Sequence, residues 1–554
     1  MIYINKYKIR IFLFLIILFG FIIRVYSLSN VPNGFHADEA AFGYNAYSIL
    51  QTGKDEYGKS FPFVLKSFGD YKGALYAYSN VPFIATLGLN PFAVRLPSVI
   101  FSTFSIFLLF ILVDKLTKNK KIALISSFLL AISPWDITIS RVTGDVILGV
   151  FFCLLLSIFL AKLYENNSLK WLFFSILSGL MAILSYAPFR FYVVILSFIF
   201  LLFSINRLKN KFIFNKKIAL VILSFIALGI FYSFIGSIER FNQLSIFSNP
   251  QTKLVMEEQI REDKLTPVFI TRAFHNKIIN YGRTILFNAQ QYFTLDFLAL
   301  NGGYPQRERI PGVGLFYLWE IPFLLIGIYL ILKTKNKRGL IFIFWWILLL
   351  IPVFLTFDEI PNVHRTLIIL PAICVIIALG INETLNYKIL NKSKIYKSVV
   401  LIFLVLVIYE FSYFLHQYYV HQDKHQSWYR GEAYKELIPQ IEKYYPNYKK
   451  IVITKSNGSP YIYILFLGKY DPRLYQSQGS PRDLDYTGFD KYYFVPHDCP
   501  LGAQLDEKGL AKGSQGFLYI NKGSCKTPAN GKLLKTIYWG DGSPAFKIIE
   551  YLPK

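Results

Sequence analysis

The chain has 554 residues, of which 54% are hydrophobic, 18% aromatic and only 17% charged, with a formal net charge of +25. Soluble globular chains carry about 25% charged residues, so this composition excludes an ordinary soluble domain. The basic excess does not point to nucleic acid either, because Lys and Arg fall in short clusters between apolar runs, the distribution that the positive-inside bias produces in membrane proteins.

A bilayer core calls for about 20 apolar residues per helix. The first such run, Ile11 to Val25, follows Lys6, Lys8 and Arg10 and reads as an uncleaved anchor, because no small-residue cleavage site follows it. Further runs fall near 96–113, 122–139, 146–163, 171–187, 191–206, 218–236, 314–332, 340–356, 367–382 and 399–415. The expected fold is therefore a polytopic α-helical membrane protein with about eleven spans.

The connecting segments alternate in character. One set is short and basic: Lys115/Lys118/Lys120/Lys121, Lys162/Lys170, Arg207/Lys209/Lys211/Lys216/Lys217, Lys333/Lys335/Lys337/Arg338 and Lys388/Lys392/Lys394/Lys397. With the N-terminal cluster, this set reads as cytoplasmic. The other set, 28–95, 134–145, 237–312 and 358–366, is longer, mixed in charge and rich in Gly, Pro and aromatics, and reads as outward-facing. The expected topology is N-terminus in and C-terminus out, in the plasma membrane. From about 416 the composition changes to that of a small α/β domain, with a helix over Glu432–Tyr444 and β-rich stretches at Lys450–Thr454 and Tyr461–Leu467. The predicted domains are thus 1–415 in the membrane and 416–554 outside it. If the tail faces an oxidising compartment, Cys499 and Cys525 are placed to pair, whereas Cys153 and Cys374 lie in apolar runs and read as small core residues.

Chemistry, if present, gathers in the outward loops, where ionisable residues near membrane ends line cavities or sites. The first loop carries adjacent Asp38 and Glu39. On a helix they point about 100° apart, so one can act as a base while the other is held by a partner; the plainer alternative is an acidic pair favoured by a helix N-terminus. Leu75–Leu87, broken by Pro82, reads as an interfacial segment. The second loop holds Asp136, Arg141 and Asp145, either an interfacial salt bridge or a second acid at the same site. Arg95, Arg141, Arg190, Arg307, Arg309 and Arg365 recur at outward ends; each alone suits snorkelling, while several together suit a phosphate, which guanidinium binds bidentately. No phosphate-binding GxxxxGK[ST] loop, GxGxxG fingerprint or HExxH motif occurs. Acidic residues inside the spans are few (Glu320, Glu410), which argues against a midplane ion relay.

The first-loop pattern DEA-x2-GYNAYSIL-x-TGKDEYG, followed by GDYKGALYAY and NPFAVRLPS, resembles the bacterial members of the protein-mannosyltransferase family, glycosyltransferase family 39, and its aminoarabinose-transferase relatives. The segments DFLALNGGYPQRERIPGVGLFYLWEIPFLLIGIYLIL and PNVHRTLIILPAICVIIALGI are similar to that family's later loop-to-helix junction and late span, so the resemblance covers roughly residues 1–415. It implies a C-type membrane glycosyltransferase fold, a sugar donor (a hexose such as mannose) on a polyprenyl phosphate, an acceptor protein, glycolipid or polymer, inversion at the anomeric carbon, no metal and no cofactor. The family's catalytic base falls on Asp38, completed by Glu39. Its second-loop acid falls on Asp145, with Asp136 as the alternative, and its donor-phosphate arginine on Arg365, with Arg307 as a second candidate. The family pattern carries a His after Arg307, where Glu308 stands here; a His instead precedes Arg365, as His364. Two other readings stand beside this one: a lipid-linked sugar flippase, which calls for charges spread along a transmembrane path, and a non-catalytic scaffold whose tail binds a partner.

Overall fold

Apolar runs of bilayer length become helices because lipid offers backbone N–H and C=O groups no other partner. The computed structural model describes residues 6–142, 144–205, 215–234, 244–386, 394–425, 427–478, 487–502 and 516–552. Arg207, Lys209, Lys211, Lys388 and Lys392 of the basic clusters lie outside the described residues, as do 237–243 of the long loop. In chain order the main elements are α1 (Lys6–Val25), α2 (Ala37–Thr52), β1 (Val64–Ser67), β2 (Asp70–Gly73), α3 (Leu75–Leu87), α4 (Pro91–Thr117), α5 (Lys120–Ile132), α6 (Pro134–Ser140), α7 (Asp145–Asn166), α8 (Leu169–Ser185), α9 (Phe189–Ile205) and α10 (Lys216–Phe234). There follow α11 (Pro250–Glu262), α12 (Val268–Phe274), α13 (Lys277–Gln291), α14 (Glu320–Lys333), α15 (Lys337–Phe354), α16 (Val363–Thr366), α17 (Leu370–Asn386) and α18 (Lys394–His416). The C-terminal part holds α19 (Tyr434–Tyr444), β3 (Lys450–Thr454), α20 (Pro460–Leu467), α21 (Pro472–Ser477), β4 (Gly488–Phe489), β5 (Tyr492–Val495), β6 (Phe517–Lys522), β7 (Gly531–Tyr538) and β8 (Pro544–Tyr551).

Among the described residues, five helices are long and apolar enough to cross a membrane: α4, α7, α15, Val363–Asn386 and Val400–His421. The count is six if α5 and α6, bent by 54° where Pro134 opens a new helix, form one broken span. The other expected runs also lie largely on helices, but these are shorter or more charged.

The chain divides into two compact units. The first comprises Met1–Arg24, Ile100–Ser140 and Asp145–Leu415. Its helices approach closely where glycine removes the side chain: a Cβ on Gly327 of α14 would lie 2.1 Å from the Ile376 carbonyl of α17, and one on Gly380 would lie 2.1 Å from the Phe323 carbonyl. Small residues at such crossings are how membrane helices gain van der Waals contact, since lipid supplies no hydrophobic drive between them. The α17 helix is mostly buried within this unit, whereas α18 leaves most of its apolar surface exposed, as a lipid-facing helix does.

The second unit comprises Val25–Val99, Arg141–Gly144 and His416–Lys554. It contains a six-stranded mixed sheet of order β4-β5-β3-β6-β8-β7, in which β3 pairs parallel with β5 and β6 while β8 runs antiparallel to β6 and β7. Val452, Leu501, Tyr519 and Ile549 form a core cluster against it. Parallel neighbours need a crossover, and here the chain between β3 and β5 contains α20 and α21. This corrects one expectation: Tyr461–Leu467 is helix, not strand. A run buried on every side from Pro460 to Phe466 shows no period, so hydrophobicity alone does not separate the two; Pro460 at the first helical position and Gly468 at the end favour helix. Cys499 and Cys525 form a disulfide. Upstream, β1 and β2 make a hairpin whose two turn residues, Phe68 and Gly69, both have positive φ (53° and 73°), the conformation that matches strand twist in a two-residue turn.

Candidate functional site

Helix α2 opens at the acidic pair. His36 is its N-cap: its Nδ1 accepts from the Asp38 N–H (3.2 Å), and the Glu39 carboxylate accepts from the His36 N–H (3.0 Å), a reciprocal capping box. The two adjacent carboxylates then diverge. Glu39 is fully buried against Arg95, whose Nε and Nη2 donate to its two oxygens at 2.7 and 3.2 Å. The remaining Arg95 donors reach the carbonyls of Leu28 (3.0 Å), Pro32 (3.2 Å) and Gly34 (2.8 Å). Asp38 keeps about a quarter of its side chain exposed, 28%, and meets Lys72 Nζ through Oδ1. The hairpin β1–β2 delivers Lys72, whose ammonium also lies over the rings of Phe42 and Phe68 at 5.7 and 5.2 Å. Sequence reasoning missed Lys72, although it is the only charged residue of the KGALYAY stretch after Tyr71, an available signal.

The segment leading into α2 is held from several sides of the second unit. Arg141 is buried, donates to the Val31 carbonyl (2.8 Å) and to the Tyr418 hydroxyl (3.2 Å), and lies over the Tyr418 and Tyr419 rings. The Asn33 N–H donates to Asp423 (3.0 Å), its side-chain amide to Glu432, and Lys435 donates to Asn33 Oδ1 (3.3 Å). The Phe35 N–H donates to the Arg430 carbonyl at 2.8 Å. Between them Gly34, at φ 80°, has no room for a side chain: a Cβ would lie 2.7 Å from the same carbonyl. Burial pushes the Asp423 and Glu432 carboxyls above their usual range and the Lys435 ammonium below its own; Lys435 and the two carboxylates oppose this in each other, while Asp423 adds to the rise at Glu432. Near the other end of α2, Glu56 is buried, and burial raises its carboxyl to about 8 in spite of a hydrogen bond from Asn45 at 3.2 Å.

The first unit holds the remaining predicted residues. Asp136 is buried in a polar knot: Arg24 Nη2 and Nε donate to Oδ2 at 2.7 and 3.2 Å, and the Ser102 hydroxyl donates to the same oxygen at 2.5 Å. Arg24 is itself fully buried and also bonds the carbonyls of Gly20, Leu130 and Ala131. Asp145 is different. It is the first residue of α7, half-buried, with Oδ1 accepting from the Val146 N–H (2.9 Å).

His364 and Arg365 sit on the one-turn helix α16, capped by Asn362, whose Oδ1 accepts from the Arg365 N–H at 2.9 Å. Arg365 Nη1 donates to the Asp358 carbonyl (2.8 Å) and Thr356 Oγ1 (3.1 Å), and its own carbonyl accepts from the Tyr192 hydroxyl (2.7 Å). His364 Nε2 lies 3.5 Å, and Arg307 Nε 3.4 Å, from Glu308 Oε1. The bonds from Tyr304 N–H to Pro361 O and from Val363 N–H to Tyr304 O bring these two loops together. Beside them a small open pocket is lined by Trp135, Thr138, Gly302, Gly303, Glu308 and Arg309, among others. So the structure groups Asp38, Glu39, Arg95 and Arg141 within the second unit. Within the first it groups Arg307, His364 and Arg365, pairs Asp136 with Arg24, and places Asp145 at a helix start. Among the described residues, no group of three or more His, Cys, Asp or Glu is placed to hold a metal ion.

Comparison with known proteins gives two independent likenesses. The family model of the dolichyl-phosphate-mannose-protein mannosyltransferases matches residues 75–234. In structure the chain resembles ArnT from Cupriavidus metallidurans bound to undecaprenyl phosphate, with a TM-score of 0.53 over 98% of both chains at 9% identity. The chain has the fold of the C-type membrane glycosyltransferases. ArnT in the apo state gives the same result, with a TM-score of 0.52 over 97% of each chain at 9% identity. The oligosaccharyltransferase AglB from Archaeoglobus fulgidus, solved with an inhibitory peptide and a dolichol-phosphate, matches at 14% identity and a TM-score of 0.47, over 83% of this chain; this chain spans 64% of that longer one. No curated protein matches in sequence.

Proposed function

We propose that the protein is an inverting membrane glycosyltransferase that moves a sugar, a hexose such as mannose, from a polyprenyl phosphate to an acceptor hydroxyl at the outer face of the membrane. The observation that carries this reading is the division of labour at α2: Glu39 is fixed by Arg95, while its neighbour Asp38 stays partly exposed beside Lys72. A carboxylate so held is positioned and accessible at once, which a general base requires. The likeness to proteins that handle polyprenyl phosphates supports the donor class.

In this reading Asp38 takes the acceptor's hydroxyl proton as the acceptor oxygen bonds to the anomeric carbon. The bond from that carbon to the phosphate oxygen breaks on the opposite face, through an oxocarbenium-like state, and the phosphate leaves with the electron pair. It needs no proton, because a guanidinium can hold its charge; we assign that role to Arg365, with Arg307 and His364 as companions. Lys72 orients Asp38 through its ion pair. Arg95 and Arg141, which are fully buried among protein partners, are positioning residues. Asp145 is the second-loop acid, and Asp136 serves the Arg24 pair. The topology that goes with this is about eleven crossings, a cytoplasmic N-terminus, a membrane part of 1–415 and an extracytoplasmic domain from 416. The acceptor is a protein, glycolipid or polymer. The reaction needs no cofactor beyond the donor.

The test is release of free polyprenyl phosphate from a panel of polyprenyl-phosphate sugars by the full chain in liposomes, with and without acceptors. Asp38→Asn is expected to lower turnover by about 100- to 10,000-fold, the usual weight of general-base catalysis, with donor binding retained. Turnover by Asp38→Asn at the wild-type rate would refute the assignment. Movement of intact donor across the bilayer with no sugar transfer would instead establish a flippase.

A further inference from the structure

In a water-soluble helix the apolar face packs inward and the polar face looks out. Helix α13, in the long loop that composition marks as outward-facing and aqueous, is built the other way round. Its inward positions are polar: Asn280 donates to the Thr252 carbonyl (2.7 Å), and Asn288, two turns later, donates to the carbonyls of Phe354 (3.0 Å) and Thr356 (2.8 Å). Its outward positions are large and apolar, with Ile278 84% and Leu286 71% exposed beside Phe287. The preceding stretch repeats the pattern, with Leu265, Val268, Phe269 and Phe274 all exposed.

Two observations say what covers this face. First, Phe354 ends α15, one of the helices long and apolar enough to cross the membrane, and Leu244–Ile246 bonds to Leu355 and Phe357 just beyond it. The polar face of α13 is therefore fastened to the end of a span, at the level of the membrane–water boundary. Second, residues 264–291 contain Lys264, Arg272, Lys277 and Arg283, all exposed, and no Asp or Glu. Arg283 is one helical turn from both Ile279 and Phe287 and so shares their face. Apolar side chains interleaved with cations are what an anionic leaflet accepts, the chains entering the acyl boundary and the cations meeting phosphate. With 15 residues α13 is about 22 Å long, too short to cross a core of about 30 Å.

We infer that Lys264–Gln291 is an interfacial membrane-docking element whose partner is the surface of an anionic phospholipid leaflet. It lies flat on the bilayer at the end of α15, with Phe269, Phe274, Ile278, Leu286 and Phe287 immersed and Arg272 and Arg283 on the headgroup phosphates.

The test uses the full chain in nanodiscs of phosphatidylcholine with or without phosphatidylglycerol. The native thiols Cys153 and Cys374 are buried and Cys499 and Cys525 are bonded to each other, so a spin label on Leu286→Cys or Phe269→Cys reports its own site, and Lys532→Cys serves as the aqueous control. Both loop labels should collide more with oxygen than with a water-soluble nickel chelate, and Lys532→Cys should do the reverse. Phosphatidylglycerol should deepen the loop labels, and Arg272→Gln/Arg283→Gln should cancel that gain, at about fivefold in docking equilibrium per charge. Labels at 269 and 286 open to the nickel chelate would overturn the inference. So would labels shielded from both probes, which would mean a protein covers the face, or a docking depth indifferent to both lipid charge and the double substitution.

Discussion

Arg95→Met tests the central claim about how the acidic pair is organised. Met keeps most of the side chain's length and apolar bulk but removes the five hydrogen bonds that Arg95 makes, two to Glu39 and one each to the carbonyls of Leu28, Pro32 and Gly34. Glu39, with no exposed surface, is then a buried carboxylate without its counter-charge. Removing one partner of such a pair costs about 3–5 kcal/mol, and the three abandoned carbonyls push the cost toward the upper end. For a cooperative unit of roughly 200 residues, about 2–4 °C accompany each kcal/mol, so the apparent melting temperature should fall by about 10–20 °C. The assay is thermal unfolding of the purified chain in one detergent at one heating rate, since large membrane proteins unfold irreversibly. Glu39→Gln and the double variant complete a cycle. The double variant should recover part of the loss, because an unpaired amide is far cheaper to bury than an unpaired carboxylate. Arg95→Met melting within a degree or two of wild type, or a cycle with no coupling, would show that the pair does not organise the start of α2.

Two further outcomes follow from the same contacts. Asp136→Asn should destabilise the fold, because it strips the counter-charge from fully buried Arg24, whereas Asp145→Asn should leave melting unchanged and lower turnover; stability loss in Asp145→Asn without an activity defect would reverse the assignment of the second-loop acid. The Glu56 carboxyl is raised by burial from 4.5 to about 8, so between those values the unfolded chain holds fewer protons than the folded one, and stability should fall as pH rises from about 5 to about 8. Glu56→Gln should flatten that slope and raise the melting temperature most at pH 8, measured against wild type across the range; equal slopes would refute the buried, protonated carboxyl.

Much of this protein is legible in one dimension. Apolar runs of bilayer length declare helices because the solvent is lipid and the demand is local, and short basic clusters between them follow from the same solvent. Adjacency alone makes Asp38 and Glu39 point about 100° apart on a helix, so that the two cannot aim at one atom. What adjacency does not say is which partner takes which carboxylate. Arg95 lies 56 residues from Glu39, Lys72 lies 34 from Asp38, Arg24 lies 112 from Asp136, and Asp423 lies 390 from the Asn33 it holds. The sequence offers Arg95 and Arg141 among the outward arginines and does not single out Lys72, because neither the full burial of the two arginines nor the pairing of Lys72 with Asp38 is visible until the chain folds. The strand expected at Tyr461–Leu467 is helix for a related reason: a run buried on all sides carries no period. Helix α13 carries a clear period, but only the tertiary contacts of Asn280 and Asn288 show that its polar face is the inner one. Solvent preference is a property of each residue and survives in the sequence; pairing and facing are properties of residues brought together, and are decided by the fold.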